Sequence, residues 1–214
     1  MAVNTTHTRV RKAAVRLFAA KGYHGVGIRE LADAAKLSSA SLYHYMGTKE
    51  DLLADIMADC LDRLLSAAKE ATNDTDDPQE KLGRLAALHT IAHAAHAKET
   101  AVVDNELRAL SPRIRRRVVE QRDAYEQIWS DVLAEGQKQG VFLPDENGVT
   151  RRALLQMCSG VAHWYSPRGP LTLHDIGVHY AALVLRTVGA SPAPAQPDMD
   201  RCRAIARSTW GIKI

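Results

Sequence analysis

Phenylalanine occurs only twice among 214 residues while alanine, leucine and arginine abound, a composition that leans to helix. No alternating apolar and polar run marks a strand, and no internal repeat is present. No apolar run approaches the roughly 18 to 20 residues that cross a bilayer, and the opening MAVNTTHTRVRKA holds no uninterrupted apolar stretch of the secretory kind. A cytoplasmic location without a membrane partner is the expectation. Cysteine is sparse: Cys60, Cys158 and Cys202 are odd in number, far apart and free of any C-x-x-C spacing, which argues against a disulfide framework and a cysteine zinc site. All three are expected as reduced, mostly buried thiols. Also missing are a nucleophile elbow, a glycine-rich phosphate loop and paired carboxylates on one face, so an enzyme has nothing to assemble from.

What is present is a chain 46% hydrophobic and 25% charged, ordinary for a folded protein and too apolar for disorder. The net charge of +3 hides an asymmetry. Residues 1–50 carry eight Lys or Arg against three Asp or Glu, net +5, and residues 51–80 carry two against nine, net −7. A basic head before an acidic segment points to a polyanion partner for the head alone.

Helical spacing organises the head. Val10, Ala14, Leu17 and Phe18 predict an amphipathic helix over 5–21, stopped by Gly22 and Gly25. A second short helix follows in IRELADAAK, with Ile28, Leu31, Ala32 and Ala35 inward. Ser38 is a good N-cap for a third over about 39–45; Gly47 breaks it, and Thr48 caps a fourth with acidic Glu50 and Asp51 in its first turn, running to about residue 71. NDTDDP at 73–78 is the clearest boundary. Helical patterns continue at about 79–97, 101–110, 113–139, 148–165 and 172–189; SPAPAQP at 191–197 reads as a linker before a tail that forms one more helix or stays loose.

The stretch SSASLYHYMGTKEDLL carries the chemistry. A short helix, a tight turn and a second helix opening with small polar residues is the helix-turn-helix plan, whose second helix enters the major groove of double-stranded DNA. Ser39, Ala40 and Ser41 are small enough to let the helix N-terminus approach base edges and phosphates. Tyr43 can reach a phosphate through its hydroxyl, His44 a base or phosphate, and Lys49 can neutralise a phosphate, while Leu42 holds the helix to the core.

At these residues the chain resembles the TetR family of bacterial transcriptional repressors, most closely over RLFAAKGYHGVGIRELADAAKLSSASLYHYMGTKEDLL. The resemblance implies an all-α protein with a three-helix DNA-binding head at 1–50, a helical effector-binding and dimerisation body at 51–190, and a linker and tail at 191–214. It also implies Arg29 and Ser39 as base readers, Tyr43, His44, Tyr45 and Lys49 as groove and phosphate contacts, with Ser38, Ala40 and Ser41 at the same helix start, and no cofactor. Gly27, Lys36 and Met46 depart from the family pattern, where Thr, Gly and Phe are usual; Lys36 in a left-handed turn costs about 1 kcal/mol against Gly. The block HWYSPRGPLTLHDIGVHYAALVL is similar to the subgroup controlling steroid-ring and fatty-acyl catabolism in actinobacteria, which implies an acyl-CoA effector.

In the body, His89, His93 and His96 share one helical face. Three readings stay open: a zinc or nickel site, which no H-E-x-x-H or nearby carboxylate cluster supports; the polar lining of an effector pocket; or a packing face. His89, His93, Asn105 and Gln156 are the candidate pocket residues, with the basic run Arg113, Arg115, Arg116 and Arg117 either a grip on ligand phosphates or a solvated surface. Leu154, Met157, Val161 and Trp164 on one helix and Ile176, Tyr180, Leu183 and Val184 on the next, beside Ala153 and Val188, offer more apolar face than one chain should need, and predict a four-helix homodimer interface. The rival readings are a DNA-binding regulator or architectural protein without a ligand and a helical enzyme.

Overall fold

The structure of the protein, a computed structural model, describes residues 2–144, 148–192 and 196–214. The middle of the expected linker, 193–195, lies outside the described residues. Helices α1 (Ala2–Lys21), α2 (Ile28–Ala34), α3 (Ser39–Met46), α4 (Lys49–Thr72), α5 (Pro78–Ala95), α6 (Ala97–Asn105), α7 (Pro112–Lys138), α8 (Val149–Ser159), α9 (Leu173–Thr187) and α10 (Met199–Trp210) make up the described regular structure with two 3-10 turns, Leu107–Ala109 and Gly160–His163, and no strand among the described residues. No described helix is long and apolar enough to cross a membrane. Two compact units emerge, one from Met1–Leu61 and Lys98–Gln121, the other from Asp62–Ala97 and Arg122–Ile214. These cuts differ from divisions drawn at residues 50 and 190, because α6 and the start of α7 make their contacts with the first unit and α10 makes its own with the second.

The first unit is built on α1 to α3 with the first part of α4. The stripe read from the sequence is the buried one: Val10, Ala14, Leu17 and Phe18 are at most 6% exposed. They meet Leu31 and Ala32 of α2, Leu42 and Met46 of α3 and, from α4, Leu52, Leu53, Ile56 and Met57, all buried; removing such side chains from water is the main driving force for the fold. α2 ends with Lys36 at φ 55°, the amides of Lys36 and Leu37 bonding the carbonyls of Asp33 and Ala32. Those bonds stabilise the left-handed turn that a lysine adopts less readily than glycine. Arg11 joins α1 to α4 and α6, bonding Glu99 and pairing with Asp59 at 2.8 Å. The Ser111 amide donates to Glu50, which, with the Ser111 hydroxyl, holds that carboxyl below its usual pKa.

In the second unit α5 is buried on nearly every side from Leu82 to Ala94 and is coated by α8, α9 and α10. Gly177 lets α9 lie close against it, since a Cβ there would sit 2.8 Å from Ile91 Cδ1. The tail is ordered: Asp198 caps α10 by accepting from the Arg201 amide, and Met199, Cys202, Ile205 and Ala206 are buried. Arg84, 7% exposed, lies within 2.6 Å of Glu80, 2.5 Å of Asp74 and 3.9 Å of Asp198, the arrangement that makes a buried guanidinium tolerable. The helix expected over 148–165 stops at Ser159 and tightens into the 3-10 turn, and the one expected over 101–110 is α6 followed by the other 3-10 turn. All three cysteines are buried and none of them forms a disulfide.

Candidate nucleic-acid interface and buried polar cluster

The helix that the helix-turn-helix plan assigns to recognition is α3. Ser38 caps it, accepting from the Ser41 amide at 3.1 Å and donating to the Ser41 hydroxyl at 2.9 Å, so its Oγ is engaged within the helix start. Leu42 and Met46 point inward at 0% and 4% exposure. Opposite them Ala40, Ser41, Tyr43 and His44 are exposed, Ser39 and Tyr45 partly so, with Tyr43 at 50%. His44 and Tyr45 meet edge to face, ring centroids 5.2 Å apart. Arg29 is exposed on α2. The amphipathic split of an eight-residue helix therefore brings the expected reading residues to one outward face.

The end of α3 is fixed by Gly47 and by a reciprocal cap at α4. The Thr48 hydroxyl donates to Asp51 at 2.7 Å, and the Asp51 amide returns a bond to it at 3.0 Å. Bonds from the Thr48 amide and hydroxyl hold the Asp51 carboxyl below its usual pKa. Lys49 is not the free ammonium that its position suggested. Its Nζ donates to the carbonyls of Tyr23 at 3.0 Å and Val26 at 2.8 Å, lies 4.2 Å from the centre of the Tyr23 ring, and has its pKa lowered by burial. One of its three donors is left for an outside acceptor.

Within the second unit a polar cluster is sealed between α5, α7 and α8. His89 and His93 are 5% and 3% exposed and stack with centroids 4.0 Å apart. His93 Nδ1 lies 2.9 Å from the His89 carbonyl, His93 Nε2 3.3 Å from Ser159 Oγ, Ser159 Oγ 3.0 Å from His89 Nε2, and His89 Nδ1 2.7 Å from the Tyr125 hydroxyl. With both rings neutral, one fixed end sets every role. The His89 carbonyl can only accept, so His93 Nδ1 donates; Ser159 then donates to His93 Nε2, His89 Nε2 donates to Ser159, and Tyr125 donates to His89 Nδ1. Burial, and secondarily His93, lowers the His89 pKa well below the ordinary value. Trp129 stands edge-on to His89 at 5.8 Å, fully buried, its indole N–H without an acceptor among the described residues. Cys158 is pushed up to about 12 by burial.

Two of the four expected pocket residues leave this cluster. Asn105 is exposed and belongs to the first unit, and Gln156 is exposed on α8. Tyr125, Trp129 and Ser159, which sequence reasoning passed over, take their place; Tyr125 and Trp129 carry the same i, i+4 spacing as the histidines. Arg113, Arg115, Arg116 and Arg117 are exposed. Among the described residues no group of three or more His, Cys, Asp or Glu is arranged to hold a metal.

The expected interface set also divides. Leu154, Val161, Ile176, Tyr180 and Val184 are 0% to 9% exposed within a single chain: they are core, because α5 needs a coat on every side. Trp164 and Leu183 stay outside at 52% and 38%, with Ala153 exposed and Met157 partly exposed.

Residues 10–56 match the family model described as bacterial regulatory proteins, tetR family, and residues 75–188 match a tetracyclin repressor-like, C-terminal domain. The chain is 30% identical over 187 residues to the HTH-type transcriptional repressor KstR2 of Mycobacterium tuberculosis, covering 86% of this chain and 92% of that one. The solved structure of that ketosteroid transcriptional regulator matches with a TM-score of 0.78 at 27% identity, covering 85% of this chain and 94% of the other. AibR, solved in complex with isovaleryl coenzyme A and operator DNA, matches with a TM-score of 0.73 at 25% identity, over 83% of this chain and 97% of AibR.

Proposed function

Since the chain belongs to the TetR family of transcriptional regulators, a family of DNA-binding proteins rather than enzymes, we propose that it binds a palindromic operator as a homodimer and is released by a small hydrophobic effector of the acyl-CoA class. Acting on DNA puts it in the cytoplasm. The observation that carries the DNA reading is the outward face of α3, small at its N-terminus and aromatic beyond, on a helix locked inward by Leu42 and Met46. Arg29 and Ser39 read bases; Ala40 and Ser41 permit close approach; Tyr43, His44 and Tyr45 contact the groove and backbone, and Lys49 gives its remaining N–H to a phosphate. Two-fold symmetry then sets two heads on two half-sites, joined through Met157, Trp164 and Leu183.

The effector reading draws support from the unanswered indole N–H of Trp129 beside the His89, His93, Ser159 and Tyr125 chain. A buried donor without a partner costs free energy, and a ligand carbonyl or carboxylate would accept from it. AibR is a relative solved with such a thioester. Release requires the ligand to prefer a conformation that spaces the heads wrongly, because a ligand bound equally to both conformations shifts nothing.

The test begins with selection of a preferred duplex from random DNA. Arg29→Ala should relax preference at one position of each half-site by about 1 to 3 kcal/mol. Calorimetric titration of isovaleryl-CoA and longer acyl-CoAs, with and without that duplex, should show DNA weakening the ligand by the factor by which ligand weakens DNA. Equal affinity in both titrations excludes effector-driven release, and no binding by any thioester excludes this ligand class.

A further inference from the structure

The eight cations of residues 1–50 do not all face the same task. Arg11 is paired with Asp59 and Glu99, Lys21 with Glu30, and Lys49 is turned onto two backbone carbonyls. Arg29 and Lys36 lie on the helix-turn-helix itself. The remaining three, Arg9, Lys12 and Arg16, are all exposed and share one face of α1. With Thr5, Thr8 and Ala13 of the same helix and Ala34 of α2 they line an open groove of about 860 Å³.

Three features set this face apart from an ordinary solvated one. α1 carries no acidic residue in twenty positions, whereas a surface kept only for solubility intersperses both signs. Like charges at i, i+3 and i, i+4, as in Arg9–Lys12 and Lys12–Arg16, oppose the helix unless a partner of opposite sign covers them, and among the described residues none of the three has an acidic partner. Finally, Arg9 Nε donates to the Ala35 carbonyl at 2.7 Å. That carbonyl opens the turn leading to Ser38 and the N-terminus of α3, so the groove adjoins the element that presents the recognition helix.

We propose that the Arg9, Lys12 and Arg16 face of α1 is a second DNA-binding track, which grips the sugar-phosphate backbone beside the groove entered by α3. The inference rests on the DNA reading given above and extends it to residues which that reading does not use. From Arg9 to Arg16 the helix advances about 10 Å, a length over which one strand of B-DNA presents about three phosphates. Three exposed cations and two threonines suit that array. None offers the bidentate geometry to a fixed base that α3 and Arg29 are placed to offer, so the track supplies affinity without sequence information. Lys12 and Arg16 contribute charge alone, while Arg9 also pins the turn and is left intact in the test.

The experiment uses the full-length protein and two duplexes, one selected by the wild type from random DNA and one of scrambled sequence. Binding is followed by fluorescence anisotropy from 50 to 300 mM KCl. The variant carrying K12Q and R16Q should lose two phosphate contacts per protomer, and the slope of log affinity against log salt should flatten by about 3 to 4 for a dimer. Affinity should fall by the same factor on both duplexes, and ethylation interference should lose a discrete set of phosphates. A variant carrying K138Q and K213Q, with the same charge change on exposed residues of the second unit, should keep the wild-type slope. An unchanged slope for the K12Q and R16Q variant overturns the proposal, as does a loss confined to the selected duplex, which would mean base reading, or an equal loss in both variants, which would mean net charge alone. Circular dichroism of the variant should match the wild type; a lost helical signal is answered by single K12Q and R16Q proteins, each expected to show half the effect. If the wild type selects no sequence, the DNA reading falls and this track with it; selection without a slope change removes the track alone.

Discussion

His89 is the residue whose chemistry is most constrained. Burial holds its pKa well below the ordinary histidine value, so the folded protein keeps it neutral where an unfolded histidine takes up a proton, near pH 6.5. Below that pH the unfolded state binds more protons, and the stability that His89 contributes declines as pH falls. Urea denaturation between pH 7.5 and 5.5 should show unfolding free energy dropping on the acid side, with up to about 1.4 kcal/mol per pH unit from this residue. His89→Phe should be less stable at neutral pH yet lack that component; identical slopes for the two proteins would place the acid sensitivity elsewhere. Lys49 calls for a different comparison. Lys49→Ala removes donors to the Tyr23 and Val26 carbonyls, and a loss of about 1 to 2 kcal/mol of stability is expected beside a general weakening on DNA. Weakened DNA binding with unchanged thermal unfolding would return Lys49 to a pure phosphate contact.

At the scale of elements, caps and packing decide what each helix can do. Ser38 supplies the side-chain cap of α3, and Ser38→Ala should cost about 1 kcal/mol and loosen the helix start that is proposed to approach DNA. Amide hydrogen exchange across 39–46 would register it, and unaltered protection there would show that packing of Leu42 suffices. α10 looks dispensable from its place at the end of the chain, but its buried Met199, Cys202 and Ile205 and the ion pairs of Arg201 with Glu70 and Asp74 join it to the second unit. Truncation after Pro197 should therefore cost on the order of 5 kcal/mol through lost apolar burial, seen as a much lower melting temperature. Retained stability would mark α10 as an ornament.

For the whole molecule, the exposed aromatic and aliphatic side chains on α8, α9 and the turn between them carry the assembly reading. Trp164 at 52% and Leu183 at 38% exposure are the positions at which a second copy would gain burial. Light scattering at micromolar concentration should give a dimeric mass, and Trp164→Glu with Leu183→Glu should give a helical monomer that binds the selected duplex far more weakly. A wild-type monomer would end the two-fold account of operator recognition.

The order and type of the helices, and the helix-turn-helix itself, were legible in the sequence because they rest on local rules: periodicity at 3.6, Ser and Thr caps, glycine stops, and a left-handed Lys36 between two short helices. The apolar stripe of α1 and the inward Leu42 followed from the same spacing. Sequence could not say which apolar faces were already taken. Leu154, Val161, Ile176, Tyr180 and Val184 look like spare surface until α5 is seen to be enclosed on nearly every side. Likewise a lysine at a helix start is a phosphate contact by pattern, but Lys49 found two carbonyls 23 and 26 residues away. Tyr125 and Ser159 reach His89 across 36 and 70 residues. Spacing along a chain determines which side chains share a face; only the folded chain decides what that face meets, because burial and hydrogen bonding are set by neighbours distant in sequence.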